Sequence, residues 1–208
     1  KQSSEKISVY QIDDQNNYLL RQTYSTSSKC LVPNDTTLSC ITLSSTFNRI
    51  NRNYTIVADN NFARTLQNSE PLRGIKRDIW RVVTQKTHDS IMSESTKALL
   101  RLNSDGRLQY LKNSSKFNED LLNQTKESIP LKTDNKQLRI SNTQLDPSDS
   151  SKLLLEISIN KATDSLNDQG VKDIIDDLDD IIKNKYISAL SDKDYMKFID
   201  ETYGFKPT

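Results

Sequence analysis

The 208-residue sequence predicts an α+β fold: small antiparallel sheets with several amphipathic helices, extended rather than compact. Three observations predict it. Leu153, Leu155, Ile157 and Ile159 recur at every second position, the period of a strand. Val171, Ile174, Ile175, Leu178, Ile181 and Ile182 recur at the three-four spacing of one helical face, with Asp173, Asp176, Asp177 and Asp180 on the other. The apolar fraction is 34% with a mean hydropathy of −0.72, so the core is thin for this length. Two lobes are expected: a β-rich lobe over 1–68, and an α+β lobe over 69–208 that ends in a helical hairpin.

Along the chain, 7–12 and 18–24 read as strands around the polar turn cluster Asp13-Asp14-Gln15-Asn16-Asn17. The Thr-rich run 38–47 and the segment 54–58 continue the sheet. Pro71 then suits the first turn of a helix over 71–92, with Leu72, Ile75, Ile79, Val82 and Val83 as its stripe and Trp80 on the flank. Arg73, Arg77 and Arg81 form a row at i, i+4, i+8. Asp105-Gly106 between two short apolar runs signals a hairpin across 100–111. A helix over 116–127, capped by Ser114 or Ser115, is built on Phe117, Leu121 and Leu122. The stretch 131–151 is polar and loop-like apart from Leu138 and Ile140, with a turn at Asp146-Pro147-Ser148-Asp149. The strand at 152–160 follows, then a polar linker and the helix over 171–182. Ser191, with Asp194 three residues on, offers a cap for a second helix carrying Tyr195, Phe198, Ile199 and Tyr203. Gly204 and Pro207 supply its stop.

Charge balances to +1, so no long-range field calls for a polyanion or a polycation. It is unevenly spread. Residues 49–101 carry ten Lys/Arg against five Asp/Glu, and residues 164–201 carry eleven acids against five bases.

Catalytic and metal chemistry find little footing. His88 is the single histidine, which excludes zinc sites built on two or three imidazoles. The run Asp176-Asp177-Leu178-Asp179-Asp180 keeps strict helical phase and lacks the central glycine of a calcium loop. No phosphate loop, nucleophile elbow or dinucleotide fingerprint occurs. No catalytic residue, metal or cofactor is expected. The arginine row with Lys76 and Trp80 makes only a modest positive face, so no nucleic acid partner is expected either.

Cys30 and Cys40 enclose a segment with Pro33-Asn34-Asp35, a spacing that suits a local disulfide in an oxidising compartment, with free buried thiols as the alternative. The opening Lys1-Gln2-Ser3-Ser4 reads as the juncture left by a removed signal peptide or signal-anchor. Carried by this juncture, the cysteine pair and the helices at 71–92 and 170–203, the chain resembles the soluble part of exported Gram-negative proteins. More specifically, it is similar in type to the membrane-anchored periplasmic chaperones that escort one secreted hydrolase to a type II secretion system. The Arg-x-x-Phe-Asp-Tyr signature of lipase-specific foldases is absent, so no functional residue carries over.

The resemblance implies a non-enzymatic chaperone or scaffold that binds a secreted client protein, possessing an N-terminal membrane anchor since removed. Its location would be periplasmic, at the inner membrane; a secreted or cell-surface protein is the alternative. The residues expected to touch the partner are Ile75, Ile79, Trp80, Tyr195, Phe198, Ile199 and Tyr203. The strand at 152–160 and the run at 38–47 would offer free edges for strand addition. The competing reading is a cell-surface enzyme or glycan-binding domain that uses carboxylates and tyrosines.

Overall fold

The computed structural model of the chain describes residues 5–25, 30–34, 37–49, 51–64, 70–84, 94–129, 131, 136–161 and 169–208. They form two units, Lys1–Thr87 with Ile187–Ala189, and His88–Tyr186 with Leu190–Thr208. The class is mixed α+β, but strands dominate: ten strands stand against three α-helices among the described residues.

In the first unit, β1 (Lys6–Ile12) and β2 (Tyr18–Ser25) form the hairpin that the sequence predicts. Asp13 closes its turn by accepting from the backbone of Gln15 and Asn17 at 2.8 and 2.7 Å, and Asn16 takes the left-handed conformation at φ 63°. β3 (Cys30–Asn34) and β4 (Thr37–Cys40) pair as a small separate ribbon, and Cys30 is bonded to Cys40. The Thr-rich run ends in a 3-10 turn over Ser44–Phe47. β5 (Asn53–Ala58) and β6 (Ile75–Val83) complete an antiparallel sheet in the order β2-β1-β5-β6.

The helix expected from Pro71 is therefore a strand as far as Val83. Its predicted end at Met92, and His88, lie outside the described residues. A bulge is the cause. Asp78 sits at φ 67°, the register slips by three residues between the Ile56–Trp80 and Ala58–Ile75 pairs, and the extra residues leave apolar positions at a spacing that mimics a helix. β6, which the expected division at 68 assigns to the second lobe, is hydrogen-bonded into the first. Gly74 leads into it, where a Cβ would stand 2.1 Å from the Ala58 carbonyl oxygen.

The core of this unit is small and partly polar. Val9, Tyr24 and Tyr54 are buried together, with Ile7, Phe47, Ile56 and Val82 around them. Beside them, buried Arg21 donates to the Ser45 carbonyl at 2.7 Å, and buried Gln22 accepts from the Leu43 N–H at 3.0 Å. Such side chains replace the apolar volume that the composition lacks. Along the outer side of β2 runs Ile187–Ala189, whose Ile187 carbonyl accepts from the Thr23 N–H at 2.8 Å.

The second unit contains β7 (Thr96–Leu102), α1 (Ser104–Lys112), α2 (Ser114–Ser128), β8 (Leu138–Asp146), β9 (Asp149–Ile159), α3 (Val171–Lys183) and β10 (Phe205–Pro207). Its sheet runs β10-β7-β9-β8, all antiparallel. One apolar core joins Leu100, Leu102, Leu155 and Ile157 of the sheet to Phe117 and Leu121 of α2 and to Ile174, Leu178 and Ile181 of α3. The α3 stripe thus covers its own sheet.

Four expectations change here. The Asp105-Gly106 hairpin is the first turn of α1: Asn103 caps it, accepting from the Gly106 N–H at 2.8 Å. The cap of α2 is Asn113 rather than a serine. The polar stretch after 131 contains β8, whose exposed side is hydrophilic and whose two register shifts blur its alternation. β9 lies between β7 and β8, so it has no free edge.

The second helix of the predicted C-terminal hairpin is only a 3-10 turn, Asp194–Phe198, followed by β10. Asp200 ends the turn because its N–H is held by the Arg101 carbonyl at 2.9 Å and its carboxylate by Arg101 and Lys152. Gly204, at φ 72°, then turns the chain so that the Phe205 N–H donates to Asp179 at 3.0 Å.

Candidate protein-binding edge

A sheet edge exposes a row of unpaired N–H and C=O groups, and most edges here are blunted. β2 is paired along its outer side by 187–189. β10 has three residues, one of them Pro207. The residues exposed on β8 are polar apart from Leu145. β6 differs. Among the described residues it is the outermost strand of its sheet, and Ile79, Trp80 and Val83 stand 68%, 55% and 62% exposed on it. Such apolar exposure on a sheet edge makes β6 the candidate for an interaction surface.

The register fixes what each face of this edge displays, because directly paired residues share a face. Val9, Ile56 and Trp80 lie in one row across β1, β5 and β6; Val9 and Ile56 belong to the small core, and Trp80 extends the row beyond it to the exposed edge. Tyr10, Thr55 and Arg81 make a row on the opposite face. On that face the bulge gathers a polar cluster. The Asp78 N–H donates to the buried Thr55 hydroxyl at 2.9 Å, which fixes the bulge. The Tyr18 hydroxyl donates to Asp78 Oδ2 at 2.7 Å, and Arg81 pairs with Asp78 Oδ1 at 3.3 Å. The hydrogen bond to Asp78 holds the Tyr18 phenol above its usual pKa, reinforced by partial burial and by the carboxylate charge and opposed by Arg77 and Arg81. The Arg77 guanidinium lies over both tyrosines, 4.6 Å from the Tyr18 ring centre and 5.4 Å from that of Tyr10.

The expected contact residues are divided between the two units. Ile75, Ile79 and Trp80 belong to β6, with Ile75 half-buried opposite Ala58. Tyr195, Phe198, Ile199 and Tyr203 belong to the second unit. There Ile199 is core at 1% exposure, and around Phe117 the Tyr195 ring packs edge-on and the Phe198 ring tilted. Tyr203 is flanked by Arg101 and Lys206 at 4.5 and 4.2 Å. The C-terminal segment is thus held by its own unit, and the exposed apolar contact residues are those of β6. Tyr10, Tyr18, Asp78 and Thr55 had no sequence signal as a group; a strand-breaking Asp inside a β-branched run is the one hint of the bulge.

The second unit holds a charged cluster. Arg101 reaches Asp146 and Asp200, both at 3.1 Å, and Lys152 reaches Asp200 at 2.9 Å. Asp146 is lowered to about 2, chiefly by the Ser148 hydroxyl and N–H, with Arg101 adding to them. For Asp200, burial pushes upward but is outweighed by Lys152, Thr202 and Arg101, leaving it also at about 2. A general acid or base works best with a pKa near the operating pH. These carboxylates are fixed as anions, and the cluster ties β7, β8, β9 and the C-terminal turn together. The void between sheet and helices, lined by Leu100, Ile157, Leu178 and Phe205, is about 10 Å³, water-sized at most.

Among the described residues no group of three or more His, Cys, Asp or Glu is arranged to hold a metal, and no helix is long and apolar enough to cross a membrane. Set against protein-family models, curated proteins and solved structures, the chain matches none.

Proposed function

We propose that this chain is a non-enzymatic, exported protein-binding module, a chaperone or scaffold for a secreted client, and that β6 makes the contact by strand addition. One observation carries the reading: among the described residues β6 is an outermost strand whose Ile79, Trp80 and Val83 are exposed, while β2 is paired, β10 is short and β8 exposes polar residues apart from Leu145. An added strand would take hydrogen bonds from the β6 backbone and set alternate side chains against Ile79 and Trp80. The Cys30–Cys40 bond is compatible with export. The glycan-binding alternative relies on tyrosine faces open to a sugar, and those of Tyr10 and Tyr18 carry Arg77.

The test is light scattering of the full chain mixed with secreted proteins of its source, for wild type and for Ile79→Lys. A complex that forms with wild type and is lost with Ile79→Lys is the expected result. A complex that Ile79→Lys leaves intact, or none with any secreted protein, counts against the reading.

A further inference from the structure

Resting on the strand-addition reading above, we infer that the β6 edge selects an acidic extended peptide segment, with an Asp or Glu of that segment docking on Arg77. The Arg77 guanidinium is held in place by the Tyr10 and Tyr18 rings, and its side chain is exposed. It makes no hydrogen bond or ion pair within the described residues, because the neighbouring carboxylate of Asp78 is engaged by Tyr18 and Arg81. Its planar fork of N–H donors is therefore oriented but unused, the state in which a guanidinium takes a carboxylate in bidentate fashion with little ordering cost.

The surroundings match this. Residues 73–83 carry Arg73, Lys76, Arg77 and Arg81 against the single acid Asp78, and all four cations are exposed. Charge complementarity thus specifies an acidic occupant, and the open backbone edge specifies an extended one. A polyanion such as a nucleic acid or sulfated glycan would need more neutralising contacts than one stacked arginine and its neighbours provide, on a chain of net charge +1.

The experiment titrates the full chain with two short end-capped peptides of alternating Val and Thr, identical except for Glu in one where the other has Gln. Binding is read by calorimetry and by the fluorescence of Trp80, the only tryptophan. The Glu peptide is expected to bind about tenfold more tightly than the Gln peptide at moderate salt. Arg77→Gln should abolish that preference, so that the two peptides bind the variant equally. Arg77→Lys should restore part of it, since an ammonium lacks the planar fork. Circular dichroism verifies that each variant is folded.

Equal affinity for the two peptides, or a preference that survives in Arg77→Gln, overturns the inference and leaves the edge reading standing. Binding of neither peptide overturns both. Arg77-dependent binding of a sulfated oligosaccharide with no binding of the Glu peptide assigns the arginine to a glycan and likewise overturns the inference.

Discussion

Removing the Cys30–Cys40 bond is expected to weaken the first unit far more than the second. The bond closes a loop of sequence separation 10, for which the chain-entropy account gives about 2–3 kcal/mol. That is a large share of the stability of a unit in which Val9, Tyr24 and Tyr54 are the buried residues of the apolar cluster and both cysteines pack against it. The assay is urea unfolding of the full-length Cys30→Ala/Cys40→Ala variant. Trp80 lies in the first unit, so its fluorescence follows that unit, while circular dichroism also follows the helices of the second. With a slope of about 1 kcal/mol per molar urea, the fluorescence midpoint should fall by about 2–3 M. A fall below about 0.5 M would refute the idea that this bond staples a thin core.

Other perturbations separate the second unit's sources of stability. Leu155→Ala empties a fully buried position of the central strand pair and should cost about 2–5 kcal/mol by urea unfolding followed at the helical signal. Asn103→Ala removes the α1 cap and should cost about 1 kcal/mol in the same measurement. Asp146 and Asp200 have folded pKa values of about 2, below their unfolded values. Their contribution is therefore complete above about pH 4 and is lost as the pH falls towards 2. Unfolding free energy measured across that window should drop with acid, and Asp200→Asn should flatten the drop while lowering stability at neutral pH.

What could be read from the sequence follows from how directly each element shows its period. α3 and β9 are buried on continuous stripes, Ile174 to Ile182 and Leu153 to Ile159, and both stand where the spacing predicts them. The β1–β2 hairpin was legible because Asp13 and Asn16 are turn residues with a mechanism.

β6 was illegible because the Asp78 bulge shifts the alternation into a four-residue spacing, which no local rule separates from a helix. The 100–111 segment was misread because Asp-Gly favours a hairpin in isolation. Here Asn103 caps a helix instead, and Gly106 is required because a Cβ there would stand 2.7 Å from the Phe198 carbonyl oxygen, on a segment almost a hundred residues away. The C-terminal segment was assigned to contact because Tyr195, Phe198 and Ile199 have helical spacing. Its burial is decided by α2 and β7, which the local pattern does not contain. The candidate site was half legible: Ile79, Trp80 and the arginine row were visible, but their meeting with Tyr10 and Tyr18 depends on the β1–β5–β6 register.

The most direct test of the central claim is amide hydrogen exchange of the full chain with and without a bound extended peptide, read residue by residue. Strand addition predicts slowed exchange for outward-facing amides of β6 between Ile79 and Val83, with the interior strand β9 unchanged. Protection that falls elsewhere, with the β6 amides exchanging as in the free chain, would contradict it.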